Sequence, residues 1–334
     1  MDLDFAILGQ LTQIFGPSGS EERVTEFIST QLRTYCDELK TDTLGNLIVV
    51  RHGTGKKVMV AAHMDEIGLM ITYFDKEGFL RFTPLGGVRI SNLVGQRVKF
   101  SKGTVGTIGV EKLEKLSDFK LDKLYIDIGV SSREEAEQVV HIGETAVFVG
   151  DFIESEARII SKALDDRGGC FVAMEALKRT KSPHELAFVF TVQEEIGTRG
   201  AQTAAYALEP DLAIAVDVTA TGDTPKAHPM SVELGKGVGI KVLDHSMVTS
   251  PQVKRWMAAV ATEGKIPFQW EVLEYGGTDS GAIHLSRGGV PSGVLSIPTR
   301  YVHSPAEMLD KRDVEAAVEL LVALLERPTE LGVL

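Results

Sequence analysis

The sequence predicts an α/β protein in which a three-layer α/β/α domain is interrupted by a small β-barrel-like domain. Helical and strand-like patterns alternate toward both ends of the chain, as in a sheet covered by helices on both faces. Between them, residues 69–159 contain short β-like stretches separated by glycines, which is typical of a barrel or sandwich. A chain of 334 residues also favours two domains. We therefore assign residues 1–68 and 160–334 to the main domain.

The first part of the main domain is predicted to contain two amphipathic helices and two strands. The first helix covers residues 5–15, and the second begins at Ser18 or Ser20. Two glutamates in the first turn of the second helix favour the positive end of its dipole. The turn Gly45-Asn46 then leads into the two strands, which cover residues 47–50 and 58–62.

The remaining elements follow from the same apolar patterns. Within the insertion, only residues 131–140 show a helical pattern. After Asp166, helices and short apolar strands alternate again, as expected for a layered sheet. The predicted helices there are 167–179, 201–207, 252–263 and 310–325, and the predicted strands are 186–192, 212–218, 239–243, 269–273 and 293–297.

The charge of the chain argues against a nucleic-acid partner. The 35 basic and 47 acidic residues give a formal net charge of −12, which repels phosphate backbones. No basic stretch of the sequence offsets this charge locally. The sequence therefore predicts that the protein binds no nucleic acid.

Neither the apolar runs nor the cysteines indicate a membrane or secreted protein. The longest apolar runs, such as residues 212–218, are too short to span a bilayer, and the N-terminus lacks the pattern of a signal peptide. Cys36 and Cys170 could pair, but two thiols in so long a chain favour a reducing compartment. We therefore expect a cytoplasmic protein without a membrane partner.

Polar residues occur where three of the predicted buried strands end. One strand leads into His63, the next into Glu194 and Glu195, and the third into Asp217. Ligands of α/β sheets bind beyond the carboxyl ends of the strands, so these side chains can converge on one cleft. The candidate site also includes three residues from elsewhere in the chain: Asp165, Asp166 and His303.

Local spacing suggests roles for some of these residues. In an extended chain, His63 and Asp65 share a face, so Asp65 can accept the second imidazole N–H and fix the tautomer. Glu194 and Glu195 point to opposite sides of a strand, so one can bind a metal ion while the other acts on a bound water. The pattern therefore predicts different roles for the two glutamates.

The types of side chain indicate which metal ions the site would bind. Imidazole and carboxylate ligands without thiolate suit zinc, cobalt or manganese. Two histidines and three carboxylates are more ligands than one tetrahedral ion needs. They fit two ions roughly 3.5–4 Å apart that share a carboxylate and a bridging water.

Six motifs of the chain resemble those of the M42 metallopeptidases. This family includes tetrahedral aminopeptidases, glutamyl aminopeptidases and proteins once called endoglucanases. The motifs occur in the family's order and cover nearly the whole chain, so that jointly they are highly specific. The insertion after the first histidine also matches the family's dimerisation domain. The motifs are AHMDEIG at 62–68, ALDDRG at 163–168, VQEEIG at 192–197, VDVT at 216–219, GTDSG at 277–281 and RYVHSP at 300–305.

The resemblance implies a metal-dependent aminopeptidase that removes N-terminal residues from peptides with two divalent ions. The ions would be zinc or cobalt, or else manganese. By the same resemblance, Asp165 bridges the two ions, His63 and Asp217 complete one of them, and Glu195 and His303 complete the other. The fold class then becomes a dinuclear metallopeptidase domain with an inserted dimerisation barrel.

The resemblance also implies how the remaining site residues act and how the subunits assemble. Glu194 would be the general base, and Asp65 would be the partner of His63. The peptide bond between Asp165 and Asp166 is expected to be cis, as in similar enzymes. Dimers are expected to join into a hollow tetrahedral dodecamer through contacts of the insertion.

Other interpretations of the same residues stay open at this point. The Asp165-Asp166 pair could cap a helix, and Glu194-Glu195 could be an exposed strand end. A glycoside hydrolase needs two carboxylates roughly 5–9.5 Å apart across the bond, and it would leave His63 and His303 without a role. A non-catalytic metal-binding protein would not need a general base. A carboxypeptidase or amino-acid deacylase could use the same pair of ions.

Overall fold

The computed structural model of the chain describes residues 2–327 and consists of a large mixed sheet, a closed barrel and surrounding helices. The α-helices are α1 (Phe5–Gln13), α2 (Glu22–Leu32), α3 (Arg133–Val139), α4 (Leu164–Arg179), α5 (Arg199–Leu208), α6 (Pro251–Gly264), α7 (Asp279–Ile283) and α8 (Lys311–Glu326). The strands before α4 are β1 (Glu38–Thr41), β2 (Leu47–Arg51), β3 (Lys57–His63), β4 (Gly68–Phe74), β5 (Leu80–Leu85), β6 (Arg97–Phe100), β7 (Val105–Val110), β8 (Leu124–Asp127), β9 (Thr145–Phe148), β10 (Ile153–Glu154) and β11 (Arg158–Ser161). The later strands are β12 (Glu185–Thr191), β13 (Leu212–Thr219), β14 (Val238–Leu243), β15 (Phe268–Val272), β16 (Ser292–Arg300) and β17 (Glu307–Asp310).

The large sheet carries helices on both faces. Its strands run in the order β1-β2-β12-β3-β13-β16-β17-β11-β10, and β14 and β15 branch from β16. Because β12, β3, β13 and β16 are parallel, their carboxyl ends meet at one edge. Val58, Val60 and Ala62 of β3 pack in one core with α4, whereas Met59 and Ala61 pack with α5 on the other face. The predicted three-layer α/β/α architecture is confirmed.

The barrel is built from the chain between β3 and β10. Its strands close in the order β4-β5-β8-β7-β6-β9 around a separate apolar core that includes Leu69, Phe82 and Val98. β10 and β11 instead pair with each other and with β17, in the large sheet. β10 and the first residues of β11, which the sequence analysis places in the insertion, therefore lie in the main sheet. We propose that the insertion ends before β10.

Several short elements were absent from the sequence prediction, among them β1, β17 and α7. β1 lies at the sheet edge and is mostly exposed, so its sequence has no apolar pattern. Helix α4 begins at Leu164, earlier than predicted, but Asp165 and Asp166 have non-helical backbone angles. The peptide bond between these two aspartates is cis, as the family resemblance implies.

Two further expectations concern the membrane and the cysteines. Within residues 2–327, no helix is both long and apolar enough to cross a lipid bilayer. Cys36 and Cys170 are both free thiols, and Cys170 is buried. The structure therefore contains no disulfide bond between Cys36 and Cys170.

Candidate metal centre

His63, the last residue of β3, lies at the centre of the candidate site. It is 2% exposed, and its Nδ1 is 3.0 Å from the main-chain oxygen of Asp65. Because a carbonyl oxygen only accepts hydrogen bonds, Nδ1 carries a proton and Nε2 faces the site. Nε2 lies 3.0 Å from Asp165 Oδ1, and 3.9 Å from both Glu194 Oε2 and Asp217 Oδ1. The structure thus brings three other predicted site residues around one imidazole nitrogen.

The carboxylate of Asp165 lies between two histidines. Its Oδ1 is 3.0 Å from His63 Nε2, and its Oδ2 is 3.2 Å from His303 Nε2. Asp165 is only 7% exposed, so both contacts form away from bulk water. Each oxygen faces a different histidine, which is the arrangement that a carboxylate shared by two metal ions requires.

Glu194 and Glu195 lie in a turn that follows β12, whereas the sequence analysis treated them as strand residues. β12 ends at Thr191, and Gln193 has a positive φ of 56°. Glu194 Oε2 is 3.9 Å from His63 Nε2, and Glu195 Oε2 is 3.4 Å from His303 Nε2. The two glutamates therefore contact different histidines. The cause is the turn after β12 and not the alternation of side chains along a strand.

Asp65 holds the turn that carries these glutamates. Its carboxylate accepts the backbone N–H of Glu194 at 2.9 Å and of Glu195 at 3.2 Å, and the hydroxyl of Ser18 donates to it at 2.6 Å. Asp65 Oδ1 is 3.5 Å from His63 Nδ1, farther than the main-chain oxygen of the same residue. The predicted imidazole–carboxylate pairing is thus secondary to a main-chain hydrogen bond.

Among residues 2–327, two groups of side chains are close enough to hold a metal ion. One contains His63, Asp166 and Asp217, and the other contains His63, Asp165 and Glu195; the ligand atoms in each group lie within 4.8 Å of one another. Asp166 was not among the predicted ligands. Its Oδ2 accepts the His63 backbone N–H at 3.2 Å, and its Oδ1 accepts a backbone N–H in the first turn of α4 at 2.9 Å. The second contact is the helix-capping role that the sequence left open for this pair.

Two residues that the sequence analysis did not single out hold His303. The imidazole Nδ1 lies 3.1 Å from the main-chain oxygen of Gly87, in the loop after β5 of the barrel. The backbone N–H of His303 donates to Glu307 Oε1 at 2.9 Å. A Gly-Gly pair after a strand indicates a turn, but nothing in the sequence indicates that this turn reaches a histidine 216 residues away.

Burial opposes the ionisation of the carboxylates of the site, although His63 and His303 lie beside them. Burial raises the pKa of Glu194 and Asp217 well above the usual range, and it also raises the pKa of Glu195. Burial opposes ionisation of Asp165 too, but hydrogen bonds with His303 and His63 outweigh it and lower its pKa. Bound divalent cations would stabilise all four carboxylates in their charged form.

An unsatisfied buried oxygen also fits a metal site. Glu195 Oε1 is buried without a hydrogen-bond partner. A buried acceptor that no donor satisfies costs free energy, and metal coordination removes that cost. Together with the imidazole and carboxylate donors, this oxygen makes the residues present suitable for divalent ions of the zinc, cobalt or manganese type.

A model of the family described as M42 glutamyl aminopeptidase matches residues 45–320. The chain belongs to the M42 family. It is a peptidase hydrolase by that membership. A protein of Acetivibrio thermocellus with an aminopeptidase name is 54% identical over 320 residues, which are 95% of this chain and 97% of that protein.

Solved structures of other family members share the fold over nearly the whole chain. Aminopeptidase APDkam598 from the archaeon Desulfurococcus kamchatkensis matches with a TM-score of 0.93 at 38% identity, covering 97% of this chain and 94% of that chain. The TET1 peptidase of Pyrococcus horikoshii, which can assemble into a tetrahedron or a large octahedral shell, matches with a TM-score of 0.87 at 35% identity, covering 97% and 99%. The inserted barrel is therefore part of a shared architecture.

Replacing Gly87 of this M42 peptidase by alanine is expected to weaken the binding of divalent metal about 10–100-fold, because a partner that orients a metal ligand is disturbed. An added Cβ would overlap the imidazole of His303. Isothermal titration of the metal-free protein with Zn²⁺ measures the change. Gly288→Ala is the matched control, since open space surrounds its Cβ position. Equal affinity in both variants would contradict a role for Gly87.

Proposed function

We propose that this chain is an aminopeptidase that hydrolyses the N-terminal peptide bond with two divalent metal ions. The observation that carries the proposal is the carboxylate of Asp165, whose two oxygens each face a different histidine. A single-ion site would not need one carboxylate between two imidazoles. The aminopeptidase names of family members support the reaction.

The proposed ligands divide into two sets that share Asp165. His63 and Asp217 would hold one ion with it, and Glu195 and His303 would hold the other. The distances within the cluster support this division, since Asp217 lies near His63 and Glu195 near His303. When bound, the ions supply a Lewis acid for the scissile carbonyl and lower the pKa of water. We expect both ions to be zinc or both to be cobalt, with manganese as an alternative.

Glu194 is the proposed general base. It lies at the edge of the cluster, its side chain is 13% exposed, and its Oε2 is 3.9 Å from His63 Nε2. Burial raises its pKa, which makes the carboxylate a better proton acceptor than one in water. Glu194 takes a proton from the attacking water and delivers it to the leaving amine. Asp65 fixes the main chain of Glu194 and thereby the position of this carboxylate.

A comparison of four substrates tests the reaction class. The purified protein with added Zn²⁺ or Co²⁺ should cleave a peptide with a free N-terminus, and should lose this activity in excess EDTA. The same peptide with an acetylated N-terminus should remain intact, as should an N-acetyl amino acid and a β-glucan. Cleavage of the acetylated peptide would favour a carboxypeptidase, cleavage of the acetyl amino acid a deacylase, and EDTA-resistant hydrolysis of glucan a glycoside hydrolase.

The proposed assembly is a homo-oligomer of dimers, and specifically a tetrahedral dodecamer. The TET1 peptidase of Pyrococcus horikoshii supports this, because a tetrahedron is one of its assemblies. Multi-angle light scattering at micromolar protein concentration should then give twelve times the chain mass of 36.3 kDa. A species of one chain mass at micromolar concentration would contradict the assembly. We propose a cytoplasmic location, which two free thiols support.

A further inference from the structure

Glu307, the first residue of β17, connects two separate segments of the candidate metal centre. It is 2% exposed. Its Oε2 accepts the backbone N–H of Asp165 at 3.0 Å, and its Oε1 accepts the backbone N–H of His303 at 2.9 Å. One buried carboxylate thus ties together main-chain groups that are far apart in sequence.

Both segments need such a tie because their backbones are irregular. His303 has a φ of 63° and Tyr301 a φ of 60°, in the left-handed region that residues other than glycine rarely adopt. Asp165 lies at the start of α4 with backbone angles of −79° and 106°, outside the helical region. A regular helix or strand would hold these N–H groups in its own ladder, whereas here a side chain must satisfy them.

The carboxylate of Glu307 holds the main chain of Asp165 and His303, whereas the barrel holds the imidazole ring of His303. The Gly87 carbonyl holds His303 Nδ1, so that Nε2 faces Asp165 Oδ2 at 3.2 Å. Both oxygens of Glu307 accept backbone N–H groups, so Glu307 is not among the residues that would hold the metal ions. Loss of this carboxylate would free the His303 loop and the Asp165 main chain without removing a ligand atom.

We propose that Glu307 is a positioning residue for the ion held by Asp165, Glu195 and His303. This inference rests on the proposed two-metal function. It predicts an unequal effect, in which the affinity for this ion falls more than the affinity for the other ion. The ion held by His63 and Asp217 shares Asp165, but neither of its other two ligands hydrogen-bonds to Glu307, so its affinity should fall less.

The test compares Glu307→Gln with Glu307→Asp and with a control. Glutamine has one carbonyl oxygen, and its NH₂ group would oppose the second backbone N–H. Aspartate keeps both oxygens on a side chain one methylene shorter. Glu175→Gln is the matched control, because Glu175 is also a buried glutamate of the α4 region but pairs with Lys178 and Arg179, far from the site. Chelator competition with Zn²⁺ then measures the dissociation constant of each metal equivalent.

The expected result in both Glu307 variants is a dissociation constant raised about 10–100-fold for one metal equivalent and raised less for the other, with the control unchanged. At saturating metal, kcat should recover toward the wild-type value, since all ligands and Glu194 remain. A merely structural role would not produce rescue by metal concentration.

Three results would overturn the inference: wild-type affinity at both equivalents, equal weakening of both, or failure of both Glu307 variants to fold. The wild-type protein separates this inference from the proposed function. If the wild type bound no divalent ions, the proposed function would fail. If it bound two and the Glu307 variants bound them equally well, only the role of Glu307 would fail.

Discussion

Replacing Glu194 by glutamine is expected to lower kcat about 10²–10⁴-fold while both metal ions stay bound. Glutamine has nearly the same shape as glutamate but cannot accept a proton near neutral pH. The backbone N–H of residue 194 would still donate to Asp65 Oδ1, so the turn after β12 should keep its conformation. We therefore expect strongly reduced peptide turnover together with a normal metal content.

The neighbouring residue provides the control for this prediction. Glu195→Gln is expected to lose metal, since Glu195 is a proposed ligand next to His303. Steady-state kinetics with a chromogenic aminoacyl substrate and metal analysis of the same samples separate the two outcomes. If metal-replete Glu194→Gln retained a kcat within a few-fold of wild type, the assignment of Glu194 as the general base would be wrong.

Replacing His63 by alanine is expected to reduce the bound metal from two equivalents to one. The Nε2 atom of His63 is the nearest imidazole nitrogen to both Asp165 Oδ1 and Asp217 Oδ1. Without it, one ion would retain only carboxylate protein ligands, which are poorer partners for zinc than imidazole. Inductively coupled plasma mass spectrometry after dialysis against a weak chelator gives the stoichiometry, and peptide turnover should fall with it.

His184→Ala is the matched control for the loss of a buried histidine. His184 is also buried, with 5% of its surface exposed. It directly precedes β12, at the opposite end of the strand from Thr191. Its Nδ1 accepts a hydrogen bond from the backbone N–H of Lys56, outside the candidate site. This variant should keep both metal ions. Unchanged stoichiometry in His63→Ala would remove His63 from the set of ligands.

The sequence could predict the strand ends of the site because their signal is local. Each of β3, β12 and β13 is a continuous apolar run, so the polar residue at or near its end stands out. His63 and Asp217 could be grouped on this basis, since parallel strands end at one edge of a sheet. The types of these side chains indicated a metal site, and their assignment to particular ions came from the family resemblance; both remain predictions.

The supporting contacts could not be predicted because they join segments distant in sequence. The pairing of Gly87 with His303 depends on how the barrel sits against the sheet, which no periodicity encodes. Glu307 lies in a short strand whose sequence reads equally well as a loop before α8. The turn that carries Glu194 depends on the positive φ of Gln193, which a propensity argument does not favour.

The loop after β5 of the barrel contacts two proposed metal ligands of the sheet domain, Glu195 and His303. Gly86 approaches Glu195 so closely that a methyl group on it would lie 2.7 Å from Oε2, and Gly87 carries the oxygen that steers the His303 ring. A variant without the barrel would lose the contact that orients the His303 ring along with any assembly contacts. Excision of the barrel would thus abolish turnover even in a single isolated subunit.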